Sequence, residues 1–133
     1  MVKKEVKKDR FDSWQPPKMK HGKLKTDIGV FTAIFAHKGV IIEDEVQIGS
    51  HCTLYSASTI DEKEGLVILK RNCRIGSHSI VMPGVTVGEN TIVGAQSFVN
   101  KNLPPNEVWA GSPARFLMPL EDYLEKLKKR KKN

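Results

Sequence analysis

The sequence has few cysteines and no long apolar run, and each of these absences excludes a class of protein. Cys52 and Cys73 are its only cysteines. They are too few for a zinc motif, and we read them as reduced, inward-facing core residues. No apolar stretch approaches the ~20 residues that a membrane-spanning helix needs. Aromatic residues make up 7% of the chain and are not interleaved with basic ones, as they are in single-strand binders. We therefore predict neither membrane insertion nor nucleic-acid binding.

Positive charge is scarce in the middle of the chain and concentrated at its ends. Residues 1–25 carry nine Lys or Arg against three acids, residues 114–133 carry seven against three, and residues 26–113 carry six against nine. We interpret the ends as solvated tails, with contact to nucleic acid, anionic lipid or an anionic cofactor as the alternatives. Met1–Arg10 lacks the apolar centre of a secretory signal, which predicts a cytoplasmic protein.

The chain does have a six-residue spacing of aliphatic side chains. It occurs in two runs, Val30, Ala36, Ile42, Ile48, Leu54 and Ile60, then Leu69, Ile75, Val81, Val87, Val93 and Val99. A period of six fits neither an α-helix nor a simple strand pair. It is typical of a hexapeptide β-helix, in which each repeat supplies one short strand and one corner. We predict one all-β domain of about four coils, a parallel β-helix.

Three repeats per coil give the predicted organisation. Residues 1–22 form an irregular basic segment, with Phe11 and Trp14 packed on the body, residues 23–104 form the β-helix, and residues 105–133 form a C-terminal extension. The predicted coils are 24–41, 42–59, 69–86 and 87–104. Residues 60–68 are an inserted loop, because Ile60 and Leu69 are nine apart. Pro104 and Pro105 are expected to stop strand pairing.

A short α-helix is predicted over residues 119–130. Leu120, Tyr123, Leu124 and Leu127 fall on one helical face. Acidic residues occupy the first turn and basic residues the last, which suits the helix dipole.

Two histidines occupy equivalent positions in successive coils. His51 and His78 each end an Ile-Gly-Ser-His tetrad, and stacked strands are ~4.8 Å apart. We therefore expect the two side chains to be close neighbours, with Ala33 before them and Gln96 after them in the column. An adjacent column of small residues would leave room for an extended ligand, and consists of Ser50, Ser77 and Ala95.

Over residues 28–118 the sequence resembles the left-handed β-helix hexapeptide acyltransferases, in their sugar O-/N-acetyltransferase branch. The most specific segments are Met82-Pro83-Gly84-Val85-Thr86-Val87-Gly88 and Ala110-Gly111-Ser112-Pro113-Ala114-Arg115. The resemblance implies a homotrimer with acetyl-CoA as co-substrate and a small-molecule sugar as acceptor. It implies pantetheine contacts for Ser77 and Ala95 and nucleotide-end contacts for Lys101 and Arg115. Gly111 joins this cofactor set, although its residue type also suits a turn.

One position departs from the family pattern. Sugar O-acetyltransferases of the family place a catalytic His near the position of Thr59, and no His lies between His51 and His78. A hydroxyl acceptor needs a base during its attack, whereas a neutral amine is already a nucleophile. The departure therefore favours an amino acceptor, or a base from elsewhere. The candidate bases are His51, His78 and His37, and Asp61 could bind an ammonium group or orient a histidine.

Three functions are compatible with these residues. The first is an acetyl-CoA-dependent acetyltransferase acting on a nucleotide-linked amino sugar in surface-polysaccharide biosynthesis, with a sugar O-acetyltransferase as its variant. The second is a γ-carbonic-anhydrase-like zinc enzyme, which needs three histidine ligands, of which His51 and His78 would supply two. The third is a non-catalytic trimeric scaffold. We predict the first, without a bound metal.

Overall fold

Three sheets of short strands, visited in turn by the chain, make up the body of the protein. The computed structural model describes residues 19–24, 26 and 28–132, so the predictions for residues 1–18, including those for Phe11 and Trp14, lie outside the described residues. From residue 40 onward the chain passes repeatedly from sheet A to sheet C to sheet B. This order stacks each coil on the one before.

The strands pair in parallel within each sheet, apart from the last strand. Sheet A contains β1 (Met19–His21), β3 (Val40–Ile42), β8 (Val67–Leu69) and β11 (Thr86–Val87). Sheet B contains β2 (Ala33–Phe35), β5 (Thr53–Tyr55), β10 (Ile80–Val81) and β13 (Phe98–Val99). Sheet C contains β4 (Gln47–Ile48), β9 (Arg74–Ile75), β12 (Ile92–Val93), β14 (Glu107–Ala110) and the antiparallel β15 (Arg115–Pro119).

The repeat aliphatics point inward and form one core. Leu54, Leu69, Val81, Val87 and Val99 are fully buried, and most of the remaining repeat positions are also buried. This confirms the inward direction that the six-residue spacing predicted. Val30 and Ile60 are the exceptions, because their side chains are 67% and 96% exposed, and the inward direction predicted for these two positions is wrong.

Both cysteines lie in this core, as predicted. Cys52 and Cys73 are free and buried. Burial, followed by the nearby charge of Glu43, raises the pKa of the Cys73 thiol to about 12. The pKa of Cys52 is also raised by burial, and its thiol donates to the Gly76 carbonyl at 3.2 Å.

The inserted segment is a β-hairpin with bounds different from the predicted 60–68. Its strands are β6 (Ala57–Ser58) and β7 (Lys63–Glu64), paired antiparallel. The Gly65 amide donates to the Ser56 carbonyl at 2.9 Å and closes the excursion. Val67 and Ile68 already belong to β8, so the third coil begins before Leu69. The six-residue spacing predicted that the repeats are interrupted here, but it did not predict where the insertion starts and ends. Ile60 faces solvent and belongs to the insertion, whereas Val67 is buried and belongs to the next coil.

The first coil is longer than the 18 residues predicted by three hexapeptides. Ala33 pairs with Thr53, and the His51 amide donates to the Val30 carbonyl at 2.9 Å. Phe31, and not Ala33, therefore precedes His51 in the column. The predicted coil 24–41 is wrong for this reason.

Strand pairing continues past Pro104 and Pro105, contrary to the prediction. Leu103 bridges to Val87, and β14 then adds a further strand to sheet C beside β12. Part of the predicted extension 105–133 therefore belongs to the stack, because both prolines fall in a corner between strands. Helix α1 follows β15 and spans Leu120–Lys132, so Pro119 ends the strand and the predicted helix bounds 119–130 shift.

An asparagine ladder runs along the corner between sheets A and C. The Asn72 amide donates to the Asn90 Oδ1 at 2.8 Å, and the Asn90 amide donates to the Asn106 Oδ1 at 3.0 Å. All three have φ near +60°, a conformation that asparagine tolerates better than most residues. Backbone conformation and side-chain bonding thus favour the same residue at successive turns.

Replacing Asn90 by alanine is expected to destabilise the fold by about 1–3 kcal/mol. The change removes two side-chain hydrogen bonds and places a Cβ-bearing residue without a compensating bond at positive φ. Urea unfolding of Asn90→Ala and Asn90→Gly separates the two causes, since glycine relieves only the backbone strain. Equal stability of both variants and the parent chain would contradict this assignment.

Candidate functional site

Two histidines and a phenylalanine stack along the corner where sheet C passes into sheet B, here called the C–B corner. The His51 and His78 rings have centroids 4.7 Å apart and planes 5° apart, and Phe31 lies 5.0 Å from His51. The predicted neighbourhood of the two histidines is confirmed. Gln96 continues the column, since its amide donates to the Ser77 carbonyl at 2.8 Å.

Small residues beside this column keep the corner narrow. A methyl group on Gly49 would lie 2.7 Å from the Ser77 nitrogen, and one on Gly76 would lie 2.5 Å from the Ala95 nitrogen. Neither contact is sterically possible without moving the backbone. The glycines that follow the repeat aliphatics therefore let successive coils approach closely. Ser77 and Ala95 occupy neighbouring turns of this corner and form a shallow strip without large side chains.

Gly111 extends the strip by one more turn. Its carbonyl accepts a bond from the Phe98 amide at 2.9 Å, and its φ is +107°, which favours glycine. Arg115 is exposed and pairs with Ala110 at the start of β15. Ser77, Ala95, Gly111 and Arg115 therefore follow one another along the C–B corner towards the end of the stack.

Lys101 lies apart from that strip. Its ammonium group sits 5.2 Å from the centroid of the Trp109 ring, a cation–π geometry. Trp109 occupies the position after Val93 in the inward row of sheet C and packs against the core. Lys101 thus helps to cover the end of the core.

A second feature is a cleft of about 490 Å³ on the outer face of sheet B, beside the hairpin. Its floor is apolar and aromatic, and its polar groups come from the hairpin and the first coil. The residues lining it are Phe35, His37, Tyr55, Ala57, Ser58, Thr59, Ile60, Asp61, Ile80, Met82 and Phe98. The Phe35 and Tyr55 rings stack with centroids 5.1 Å apart.

His37 and Asp61 both line this cleft although they are far apart in sequence. His37 is half-buried at the turn after β2, and Asp61 lies at the hairpin tip. A hydrogen bond from Ser58 is the main cause that lowers the pKa of Asp61, and Lys63 lies 3.7 Å away. Asp61 is therefore a carboxylate near neutral pH, able to accept bonds from a cationic ligand.

The hairpin is attached to the first coil by polar contacts. The Lys38 amide donates to the Ser56 hydroxyl at 2.9 Å, and that hydroxyl donates to the Phe35 carbonyl. Lys38 also pairs with Glu64 at 3.5 Å. These contacts hold the hairpin against the turn that carries His37.

The structure thus divides the predicted site residues between two places. The C–B corner holds His51, His78, Ser77 and Ala95, while the cleft holds His37 and Asp61. Sequence analysis missed the aromatic floor of the cleft, formed by Phe35, Tyr55 and Phe98. A signal was present, because each of these residues adjoins an inward aliphatic on a strand and must therefore point outward.

Among the described residues there is no group of three or more His, Cys, Asp or Glu side chains placed to hold a metal ion. In the same part of the chain, no helix has the length and apolar character required to span a bilayer.

Comparison with known proteins identifies the repeat. The family model "Bacterial transferase hexapeptide (six repeats)" matches residues 67–101. The galactoside O-acetyltransferase of Escherichia coli (strain K12) is 45% identical over 56 residues, which are 42% of this chain and 28% of that protein. The matched regions span less than half the length of the curated relatives.

Solved structures match over more of the chain. A hexapeptide-repeat-containing acetyltransferase from Vibrio cholerae, complexed with acetyl coenzyme A, has a TM-score of 0.67 and 25% identity, covering 78% of this chain and 66% of that one. A mutant of the N-acyltransferase AntD from Bacillus cereus, complexed with dTDP-4-amino-4,6-dideoxyglucose and coenzyme A, has a TM-score of 0.66 and 27% identity. The match covers 84% of this chain and 73% of that one. Residues 67–101 therefore carry the hexapeptide repeat of bacterial transferases, and the similar proteins named here are acetyltransferases or acyltransferases.

Proposed function

We propose that this protein is an acetyl-CoA-dependent acetyltransferase whose acceptor is a nucleotide-linked amino sugar. The observation that carries the proposal is the strip of small residues along the C–B corner, which ends at the exposed Arg115. Related acyltransferases with similar structures are complexed with acetyl-CoA, or with coenzyme A and a nucleotide-linked amino sugar. The proposal includes the left-handed sense of the coil, a homotrimer and a cytoplasmic location.

The C–B corner suits the donor. Pantetheine is a narrow chain with two amides, which can lie along a strip where Ser77 and Ala95 offer little steric obstruction. The phosphates at its nucleotide end carry negative charge, and a guanidinium binds phosphate oxygens through paired donors. We assign this contact to Arg115 and not to Lys101, whose ammonium group lies over the Trp109 ring apart from the strip.

The cleft on sheet B suits the acceptor. Its aromatic floor can pack against the apolar C–H face of a sugar ring, and Asp61 can hold an ammonium group. Because the C–B corner and the cleft lie on opposite edges of sheet B, the proposed trimer brings the corner of one subunit beside the cleft of its neighbour. The outward-facing Val30 and Phe31, 67% and 80% exposed, favour such self-association.

The proposed reaction is a direct transfer. The neutral amine attacks the thioester carbonyl carbon, the C–S bond breaks, and coenzyme A departs as a thiolate. His37 accepts the proton that the amine loses as the amide forms and passes it to the thiolate, which becomes the thiol, while Asp61 accepts a hydrogen bond from the amine and holds it in place. His37 comes from the first coil yet shares the cleft wall with Thr59, where the family pattern expects a histidine. His51 and His78 contact the donor from the corner column.

An acyl-transfer assay with matched acceptors tests this function. Thiol release from acetyl-CoA is measured with nucleotide-linked amino sugars and with the same sugars carrying a hydroxyl instead of the amine. The proposal expects turnover with the amine and ~100-fold less with the hydroxyl, because a site built for one polar group discriminates strongly against another. Turnover of the hydroxyl sugars alone would establish the O-acetyltransferase variant, which the Escherichia coli relative's name favours. Turnover of neither class, with donor binding intact, would reject both sugar assignments.

A further inference from the structure

Helix α1 ends in a dense cluster of positive charge, here called the basic end. Its six cations lie within seven consecutive residues and are Lys126, Lys128, Lys129, Arg130, Lys131 and Lys132. The acidic residues of the helix all precede the cluster. The helix dipole favours cations in the last turn, but one or two cations are enough to provide this stabilisation. The basic end is therefore larger than helix stability requires.

Exposed apolar side chains lie beside the basic end. Phe116 is 48% exposed, Leu117 is 53% exposed and Leu124 is 41% exposed. The first two belong to β15, which is the outermost strand of sheet C at this end of the stack. Apolar side chains on an edge strand attract other surfaces, and natural proteins usually cover or replace them.

The helix lies on the body through one side only. Met118 of β15 shares a groove with Tyr123 and Leu127, and no helix residue is buried. Lys128 and Lys131 are exposed. Arg130 lines the same groove as Met118, so the basic end lies against β15, and Leu124 shares a helical face with Lys128 and Lys131.

We propose that β15 and α1 bind the surface of an anionic phospholipid bilayer. Cations flanking apolar side chains are the combination used by segments that lie in a membrane interface, where headgroups pair with the cations and the apolar groups enter the acyl boundary. A nucleic acid would use the charge but would leave Phe116 and Leu117 without a partner. This inference is independent of the acetyltransferase proposal.

The strength of the interaction follows from the number of charges. Each Lys or Arg close to an anionic surface strengthens binding roughly fivefold. The contribution is screened by salt, since the Debye length falls from ~10 Å at ~0.1 M to ~3 Å at ~1 M. Binding is expected to be reversible and to weaken at least ~10-fold over this salt range.

Co-sedimentation of the full chain with vesicles tests the inference. The vesicles are phosphatidylcholine alone and phosphatidylcholine mixed with one-third phosphatidylglycerol. We expect binding to the mixed vesicles only. The double variant Lys128→Glu with Lys131→Glu should weaken it more than ~10-fold, and Leu117→Ser should weaken it at high salt as well as at low salt.

The matched control is Lys20→Glu with Lys23→Glu, which makes the same charge change at the opposite end of the stack. Equal loss in control and test variants would show that overall charge alone drives adsorption, and would overturn the proposal. Absence of binding to the mixed vesicles would also overturn the proposal. If the chain then binds a DNA duplex, the basic end is a nucleic-acid surface instead. Circular dichroism and urea unfolding of each variant check that it is folded.

Discussion

Replacing His37 by alanine is expected to lower kcat for acetyl transfer about 10²–10⁴-fold. In our account His37 is the only histidine in the acceptor cleft, and it takes the proton released when the amine forms the amide. The acetyl-CoA affinity should change little, because the donor lies along the C–B corner. Steady-state kinetics with a working amino-sugar acceptor measure the effect, and the pH–rate profile should lose the limb that reports the base.

The matched control for this prediction is His21→Ala. His21 is an exposed histidine of β1 whose ring nitrogen contacts the Gly22 carbonyl at 3.0 Å, away from the cleft. Its replacement should leave kcat unchanged. If His37→Ala keeps kcat within a factor of three or so of the parent while His51→Ala or His78→Ala loses it, then the stacked pair supplies the base and the assignment of His37 is wrong.

Replacing Leu54 by alanine is expected to destabilise the protein by about 2–5 kcal/mol. Leu54 is fully buried at the centre of sheet B, where it pairs with Ile34 on one side and Val81 on the other. Truncation removes apolar contacts on two neighbouring turns and leaves a cavity that the regular stack cannot collapse. Urea unfolding followed by circular dichroism measures the loss.

Leu117→Ala makes the same chemical change at a side chain that is 53% exposed. It should alter the free energy of unfolding by no more than about 0.5 kcal/mol. Similar losses for Leu54→Ala and Leu117→Ala would contradict the inward direction of the repeat aliphatics.

The repeat spacing was sufficient to predict the core and the histidine stack. Leu54, Val81 and Val99 face inward because a period of six returns to the same sheet after three repeats. The same arithmetic places His51 beside His78. The same spacing wrongly placed Ala33 beside His51. Ala33 pairs with Thr53, so this coil is two residues longer than three hexapeptides, and the spacing of the aliphatic residues does not reveal where the two extra residues lie.

The cleft was harder to predict because it depends on contacts between distant segments. His37 and Asp61 line one cleft only when the hairpin folds back and Lys38 pairs with Glu64. The sequence indicated an insertion, but Gly65 and Val67 decide where it ends, through a backbone bond and a buried strand. The six-residue spacing marks inward positions only, so it carries no signal for the aromatic floor, whose residues Tyr55 and Phe98 point outward.

Calorimetric titration of the full chain with acetyl-CoA tests the central claim most directly, with dephospho-CoA as the comparison ligand. The account predicts saturable binding of acetyl-CoA. The affinity should weaken about 10-fold or more in Arg115→Ala, because a charge-assisted contact to phosphate contributes roughly 1.5–3 kcal/mol. It should be unchanged in the control Lys20→Ala. Absence of binding at ~1 mM acetyl-CoA, the upper end of common substrate KM values, would contradict a donor site at the C–B corner and leave a non-catalytic scaffold as the better account.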